Sequence, residues 1–95
     1  MQQEFMFNET VSYGGSLDAT SAKLVTGSAQ HRWWRVSVIG SGTLYLAFGS
    51  AAPDAGEGIV VTSALLFEAW AATEADLYAI TADSNVQYAI SVGKH

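Results

Sequence analysis

The sequence has no cysteine among its 95 residues and only four basic residues. The first absence excludes disulfide bonds and thiolate metal sites. With nine acidic residues against these four, the net charge is −5. Because binding to a nucleic acid backbone needs surplus Lys and Arg to neutralise phosphates, we expect no nucleic-acid partner.

Long apolar runs are also missing. No run approaches the roughly 20 residues that cross a bilayer as a helix, so no membrane partner is expected. The opening residues Met1–Glu4 lack the basic and apolar regions of a signal peptide. This pattern predicts synthesis in a cytoplasm without a secretion signal.

Charge is scarce throughout: 14% of the residues are charged and 49% are hydrophobic, whereas about 25% charged residues is typical. A chain of this length supports one core and buries about 60–65% of its unfolded surface. The shortfall in charge indicates surface that meets protein rather than water. We therefore predict one β domain over residues 1–95 that packs against copies of itself or a partner.

Short apolar runs separated by Gly, Ser, Asn and Asp indicate an all-β chain. The expected fold is a small antiparallel β-sandwich or jelly-roll-like domain of about eight strands. The candidate strands are Glu4–Phe7, Thr10–Tyr13, Ala22–Thr26, Arg32–Ile39, Thr43–Phe48, Gly58–Thr62, Leu65–Trp70, Asp76–Thr81 and Val86–Val92.

Two hairpins are expected, because short links of turn-forming residues separate strands with alternating patterns. The second face of the strands Thr43–Phe48 and Val86–Val92 is mostly small or aromatic and carries no charge, which predicts that either both faces are covered within the domain or one face meets a neighbouring subunit. The expected hairpins are Arg32–Ile39 with Thr43–Phe48 through Gly40–Gly42, and Asp76–Thr81 with Val86–Val92 through Asp83–Asn85.

Two further segments leave alternatives open, and two others predict loops. Residues 63–72 contain strong helix formers, yet β neighbours on both sides favour a strand over Leu65–Trp70. Gly, Ser and Ala predict loops over Tyr13–Ser21 and Gly27–Gln30. Residues 1–13 fit either an arm that docks on another chain or a first strand of the same sheet.

Few residues fit the pattern of a catalytic or metal-binding site. Catalysis would rest on His31 at a strand entrance and on Glu68 within an apolar strand, without a nucleophile elbow or a phosphate loop. The carboxylate pairs Asp54 with Glu57 and Glu74 with Asp76 are typical of solvated loops rather than cation sites. We predict no enzyme activity, no metal and no cofactor.

The aromatic residues are more informative. Trp33 and Trp34 are adjacent, so on a strand they point to opposite faces. An exposed Trp can stack on a sugar ring, but Trp, Tyr and Arg are also enriched at protein interfaces. We predict Arg32 and Arg35 as polar clamps and, as contact or core aromatics, Trp33, Trp34, Tyr45, Trp70 and Tyr78.

The segment Gly42–Pro53, Gly-Thr-Leu-Tyr-Leu-Ala-Phe-Gly-Ser-Ala-Ala-Pro, resembles a group of small virion structural proteins of tailed bacteriophages. In that group an acidic-aromatic strand, an Ala-Ile-Thr-Ala-like strand and a Ser-Val-Gly-like terminal strand follow. The matching segments here are Leu66–Trp70, Ala79–Ala82 and Ile90–Gly93, so the resemblance covers the chain from Trp34 onward. It brings no catalytic residues.

The resemblance implies a capsid cement (decoration), head-fibre or tail-associated protein. The expected location is the virion, and the expected partners are other copies, with a trimer favoured, or the major capsid or another virion protein. A β-sandwich binding module for carbohydrate or a host surface is the alternative, and a small enzyme is the third reading.

Overall fold

The computed structural model describes residues 9–54, 56–70 and 73–94, and these form strands and connections without a helix. Their alternating patterns fit the period of two that a half-buried strand requires. The eight strands are β1 (Glu9–Leu17), β2 (Ser21–Val25), β3 (His31–Ile39), β4 (Leu44–Gly49), β5 (Ile59–Val61), β6 (Phe67–Trp70), β7 (Asp76–Ile80) and β8 (Val86–Lys94).

The strands build two four-stranded sheets. Sheet A has the order β1-β8-β3-β6 and sheet B the order β2-β7-β4-β5, with every pairing antiparallel. This is the strand order of a jelly roll, which confirms the predicted small all-β sandwich. The pairs are nested along the chain, because β4 pairs with β5, β3 with β6, β2 with β7 and β1 with β8.

Both hairpin predictions are wrong. The link Gly40–Gly42 carries the chain from β3 in sheet A to β4 in sheet B, and Asp83–Asn85 lies between β7 and β8, which are also in different sheets. A short link of turn residues suits a crossing between sheets as well as a hairpin. At Gly42 the crossing needs glycine, because its φ is 107° and an added Cβ would lie 2.5 Å from Cγ2 of Val86.

Hydrogen bonds fix these crossings at one end of the sandwich. The buried Thr81 hydroxyl donates to the Thr43 carbonyl at 2.7 Å and accepts from the Asp83 amide at 3.1 Å. The Asp83 carboxylate accepts from the Thr43 amide at 2.9 Å, and the Asp83 carbonyl accepts from the Ala19 amide at 2.8 Å. Three connections are thereby joined, since Ala19 belongs to the link between β1 and β2.

β1 is longer than the composition indicates. A loop is predicted over Tyr13–Ser21, but the strand continues to Leu17 and pairs with β8 along its whole length. Gly15 lies opposite Tyr88, and a Cβ added there would be 2.7 Å from the Tyr88 hydroxyl. The glycine therefore makes room for an aromatic ring inside a strand, which is why the loop prediction is wrong at this point.

The structure describes only part of segment 1–13, for which an arm and a first strand were both predicted. Glu9–Tyr13 lie in β1 and pair with β8 of the same chain. The candidate strand Glu4–Phe7 lies outside the described residues, as does the remainder of the segment 1–8.

The ambiguous segment forms a strand where the structure describes it. Phe67–Trp70 is β6 and pairs with β3, so the strand interpretation is confirmed for these residues. The strand begins two residues later than predicted, because Thr62 and Leu65 exchange backbone hydrogen bonds around a turn. Residues 71 and 72 lie outside the described part of the chain.

The core lies between the two sheets and is built from the inward residues of all eight strands. Aliphatic side chains from both sheets surround one tryptophan, and the partly buried Phe48 and Phe67 pack against them. The buried core consists of Leu17, Val25, Trp34, Val36, Val38, Leu44, Leu46, Val61, Leu77, Ala79, Val86, Ile90 and Val92.

Candidate interaction surfaces

Four side chains form a cluster on the outer face of sheet A, which we call the Trp surface. Trp33 and Arg35 come from β3, and they are the register partners of Trp70 and Glu68 on β6. The Trp33 indole Nε1 donates to Glu68 Oε2 at 2.9 Å, and the two indole centroids are 6.0 Å apart with a 46° tilt. The hydrogen bond orients Trp33, while Trp70 is 55% exposed.

Arg32 plays a local role near this surface. Its Nη1 donates to the carbonyl of Ala29 at 2.5 Å and to that of His31 at 3.1 Å. The register shift between His31 and Trp33 places Arg32 at an irregularity of β3. Its guanidinium therefore stabilises the link between β2 and β3 through these two hydrogen bonds. Arg35, in contrast, is exposed on the Trp surface.

Trp34 belongs to the core and must be removed from the set of predicted contact residues. It is 0% exposed, and its ring makes edge contacts with His31 and Phe48, each with centroids 4.9 Å apart. Phe48 in turn lies 6.1 Å from Phe67. These four rings, which we call the inner aromatic chain, connect sheet A to sheet B.

His31 and Glu68, the residues on which an enzyme interpretation rests, lie on opposite sides of sheet A. His31 is 2% exposed, and burial together with the charge of Lys94 lowers its pKa below the ordinary 6.5. The His31 Nδ1 and the Trp34 Nε1 are buried without a hydrogen-bond partner among the described residues. Glu68 is exposed on the outer face, so the two groups cannot act on one substrate.

The carboxylates considered for cation binding are dispersed. Asp76 accepts a hydrogen bond from the Gly27 amide at 2.6 Å and lies 3.8 Å from the Lys23 ammonium group. Within the described ranges, no group of three or more His, Asp or Glu residues could hold a metal ion. The same ranges contain no helix that is long and apolar enough to span a membrane.

The outer face of sheet B carries a second cluster, which we call the Tyr surface. Tyr45 is the register partner of Val60 on one side and Ile80 on the other, and Tyr78 lies opposite Ala47. Side chains at alternate positions share a face, so these five residues are neighbours. The surface is uncharged except at its border, where the pair Lys23–Asp76 lies.

The predicted contact residues therefore do not form one site. Trp33, Arg35 and Trp70 lie on one side of the sandwich, and Tyr45 and Tyr78 lie on the other. No single flat partner can cover both sets, because the two sheets separate them.

Three exposed apolar residues, Val60, Leu65 and Leu66, were not predicted from the sequence, whereas Trp70 beside them was. Val60, Leu65, Leu66 and Trp70 are 40–55% exposed and lie on or between β5 and β6; we call them the β5–β6 flank. The residues were recognised as strand formers, but alternation does not show that a strand lies at the edge of a sheet. The remaining large exposed hydrophobic residues are Tyr13 on β1 and Ile39 at the end of β3.

Comparison with known proteins identifies a fold and no family. No family model and no curated protein matches the sequence. A solved structure described as "Bacillus endospore appendages form a novel family of disulfide-linked pili" is similar to this chain with a TM-score of 0.56. The match has 15% identity and covers 90% of this chain and 84% of that one; at this identity it shows a shared fold alone.

Proposed function

We propose that this chain is a structural subunit that assembles with copies of itself. The observation that carries the proposal is the exposed apolar β5–β6 flank, which adjoins the half-buried rings of Trp33 on the Trp surface and Tyr45 on the Tyr surface. Soluble monomers expose few contiguous apolar patches, and such patches mark sites of protein contact. The low fraction of charged residues, 14%, agrees with extensive contact between subunits.

The similarity to a pilus structure supports an assembling role, because that structure's description names a family of pili. The contacts that join subunits of this chain have to differ from those that join the pili. The pili are described as disulfide-linked, and this chain has no cysteine. Its subunits would therefore be held without disulfide bonds, by non-covalent contacts such as apolar packing and backbone pairing.

The proposal includes a place for the assembly, a tailed-phage particle, where the chain would serve as a cement or decoration protein or as a head-tail component. The support is the resemblance of Gly42–Pro53 to small virion proteins. In the fold this segment supplies β4 and the loop after it, with Leu44 and Leu46 in the core. A trimer on the particle, beside the major capsid protein, is the form of assembly we favour.

Light scattering after size exclusion tests the assembly. At micromolar concentration we expect a species of several times the 10.1 kDa chain mass, about three times for a trimer. A monomer at all concentrations up to the millimolar range overturns the proposal.

The location on a phage needs a separate test. Mass spectrometry of purified phage particles from a strain that encodes the chain should detect it in a fixed ratio to the capsid protein. Its absence from every particle fraction overturns the virion part of the proposal and leaves the assembling role intact.

A second candidate is carbohydrate binding at the Trp surface. The specific observation is a pair of indoles 6.0 Å apart, one of them oriented by Glu68 and the other 55% exposed. Indole faces stack on sugar rings, and Glu68 and Arg35 offer hydrogen bonds beside them. A glycan array followed by titration of Trp fluorescence tests this candidate, with Trp70→Ala as the variant that should lose binding and Tyr45→Ala as the control on the opposite sheet.

A further inference from the structure

The four edge strands of the sandwich differ in their protection against pairing with another chain. Edge strands are usually kept short, interrupted by bulges or marked with charges. β2 has a register shift beside Lys23, β5 is three residues long, and β6 is four residues long with Glu68 facing outward. Each of these three edges therefore offers only a short stretch of backbone to another chain, four residues in the case of β6.

β1 has none of these features. It is nine residues long, its register with β8 is unbroken, and it carries no charge and no proline after Glu9. Within the described residues no strand pairs with its outer edge. Its outward side chains are small and allow close approach of another strand; they are Thr10, Ser12, Gly14 and Ser16.

The opposite side of the sandwich is apolar. β5 contacts β6 across the two sheets, so the free edges of these two strands lie on the same side of the molecule. That side carries the β5–β6 flank, which includes Leu65 and Trp70, each 55% exposed. The molecule thus has one long unprotected edge and, across its width, one exposed apolar flank.

We propose that these two sides meet in a head-to-tail contact between copies, in which β1 of one subunit lies along β6 and the β5–β6 flank of the next. Sheet A would then continue from one subunit into its neighbour. The inference rests on the proposed assembling function and names the surface through which it occurs.

Strand direction supports this contact. Both sheets are antiparallel throughout and have four strands, so β1 and β6 run in opposite directions, as do β2 and β5. A second copy displaced sideways without being turned over therefore brings β1 antiparallel to β6 of its neighbour. The same displacement brings β2 antiparallel to β5, so both sheets can continue at once.

The distribution of apolar side chains favours this arrangement over a two-fold dimer. Pairing β1 with β1 of another copy would leave Leu65, Leu66 and Trp70 exposed in both subunits. Pairing β6 with β6 would leave β1 open. A head-to-tail contact covers both sides in every interior subunit, and such contacts form closed rings or open filaments.

Two charge variants and a control test the inference on the full chain. The β1 variant is Thr10→Lys with Ser12→Lys, and the flank variant is Leu65→Lys with Trp70→Lys. The control, Ser41→Lys with Ser84→Lys, adds the same charge at exposed positions in the links between β3 and β4 and between β7 and β8. Circular dichroism and thermal unfolding verify that each variant is folded, and Leu65→Lys with Leu66→Lys replaces the flank variant if β6 is disturbed.

The expected result is complementation. Each variant alone should fall to the 10.1 kDa monomer, the control should assemble like the wild type, and an equimolar mixture of the two variants should give about twice the monomer mass and grow no further. Self-association of the flank variant would show a two-fold contact through β1, and self-association of the β1 variant would show a contact through another surface. Either of these, or a mixture that stays monomeric, overturns the inference.

The oligomeric state of the wild-type chain distinguishes failure of the head-to-tail contact from failure of the proposed function. A wild-type chain that assembles while both variants also assemble overturns only the head-to-tail contact. A wild-type chain that is monomeric throughout overturns both.

Discussion

The two sides of sheet A carry similar aromatic residues in opposite environments. On the inner side, Trp34 is fully buried and contacts His31 and Phe48. On the outer side, the adjacent Trp33 pairs with an exposed Trp70. The comparison teaches that two adjacent tryptophans on one strand can have different roles, since the inner ring joins the two sheets and the outer ring contacts Glu68 and Trp70 of β6.

Replacement of the inner tryptophan should have the largest effect. Trp34→Ala removes a fully buried ring at the centre of the inner aromatic chain, and large-to-small changes of this kind cost about 3–5 kcal/mol. Chemical denaturation should show this loss in the free energy of unfolding. Trp33→Ala is the matched control, and an equal loss in both variants would contradict the division between the two sides.

Lowering the pH should destabilise the fold through His31, which lies on the inner side of sheet A. Because its folded-state pKa lies below the ordinary value of 6.5, the unfolded chain binds the proton more readily than the folded one. The free energy of unfolding should therefore fall as the pH drops through 6.5 toward the lowered pKa. His31→Phe should remove this slope while retaining His95 in both proteins, and an unchanged slope between pH 7 and pH 5 would show that another group is responsible.

Truncation of Trp70 on the outer side of sheet A should destabilise the fold much less than truncation of Trp34. Trp70→Ala removes a half-exposed ring and its contact with Trp33, which should reduce the free energy of unfolding by about 1 kcal/mol. The same change should weaken assembly more than it weakens the fold, because Trp70 belongs to the β5–β6 flank. Denaturation and light scattering on one preparation measure both effects, and a loss as large as that of Trp34→Ala would place Trp70 in the core.

The smallest effect should come from Glu68→Gln. The amide still accepts the hydrogen bond from Trp33 Nε1 but loses the negative charge, so the expected change is about 0.5 kcal/mol. Glu68→Ala, which removes the acceptor, serves as the comparison. An equal loss in the two variants would show that the carboxylate charge, which both remove, matters more than the hydrogen bond to Trp33.

The sequence predicted the strands better than it predicted their partners. Alternation placed β3, β4, β7 and β8 because a period of two depends only on local exposure. It failed at Gly40–Gly42, where the same turn residues serve a crossing between sheets. Whether a link reverses within one sheet depends on packing partners that are distant in the chain, such as Val86 against Gly42.

The candidate surfaces, like the fold, could be predicted from the sequence only in part. The opposite placement of Trp33 and Trp34 follows from strand geometry, but the choice of Trp34 as the inner one does not. Val60, Leu65 and Leu66 were not singled out, because their exposure depends on β5 and β6 being the last strands of their sheets. Edge position is a property of the topology, which local patterns do not contain.

The nested pairing of strands has a consequence for the order of folding. β4 and β5 are the closest partners along the chain, while β1 must wait for β8, the last of the eight strands to be synthesised. Pairings at such long separation form slowly, because the loop they close loses much conformational freedom. Among the described strands, β1 is therefore made first and is among the last to be paired on the ribosome. Until β8 has been made, the edges of β1 are open to pairing with a second nascent chain on the same messenger RNA.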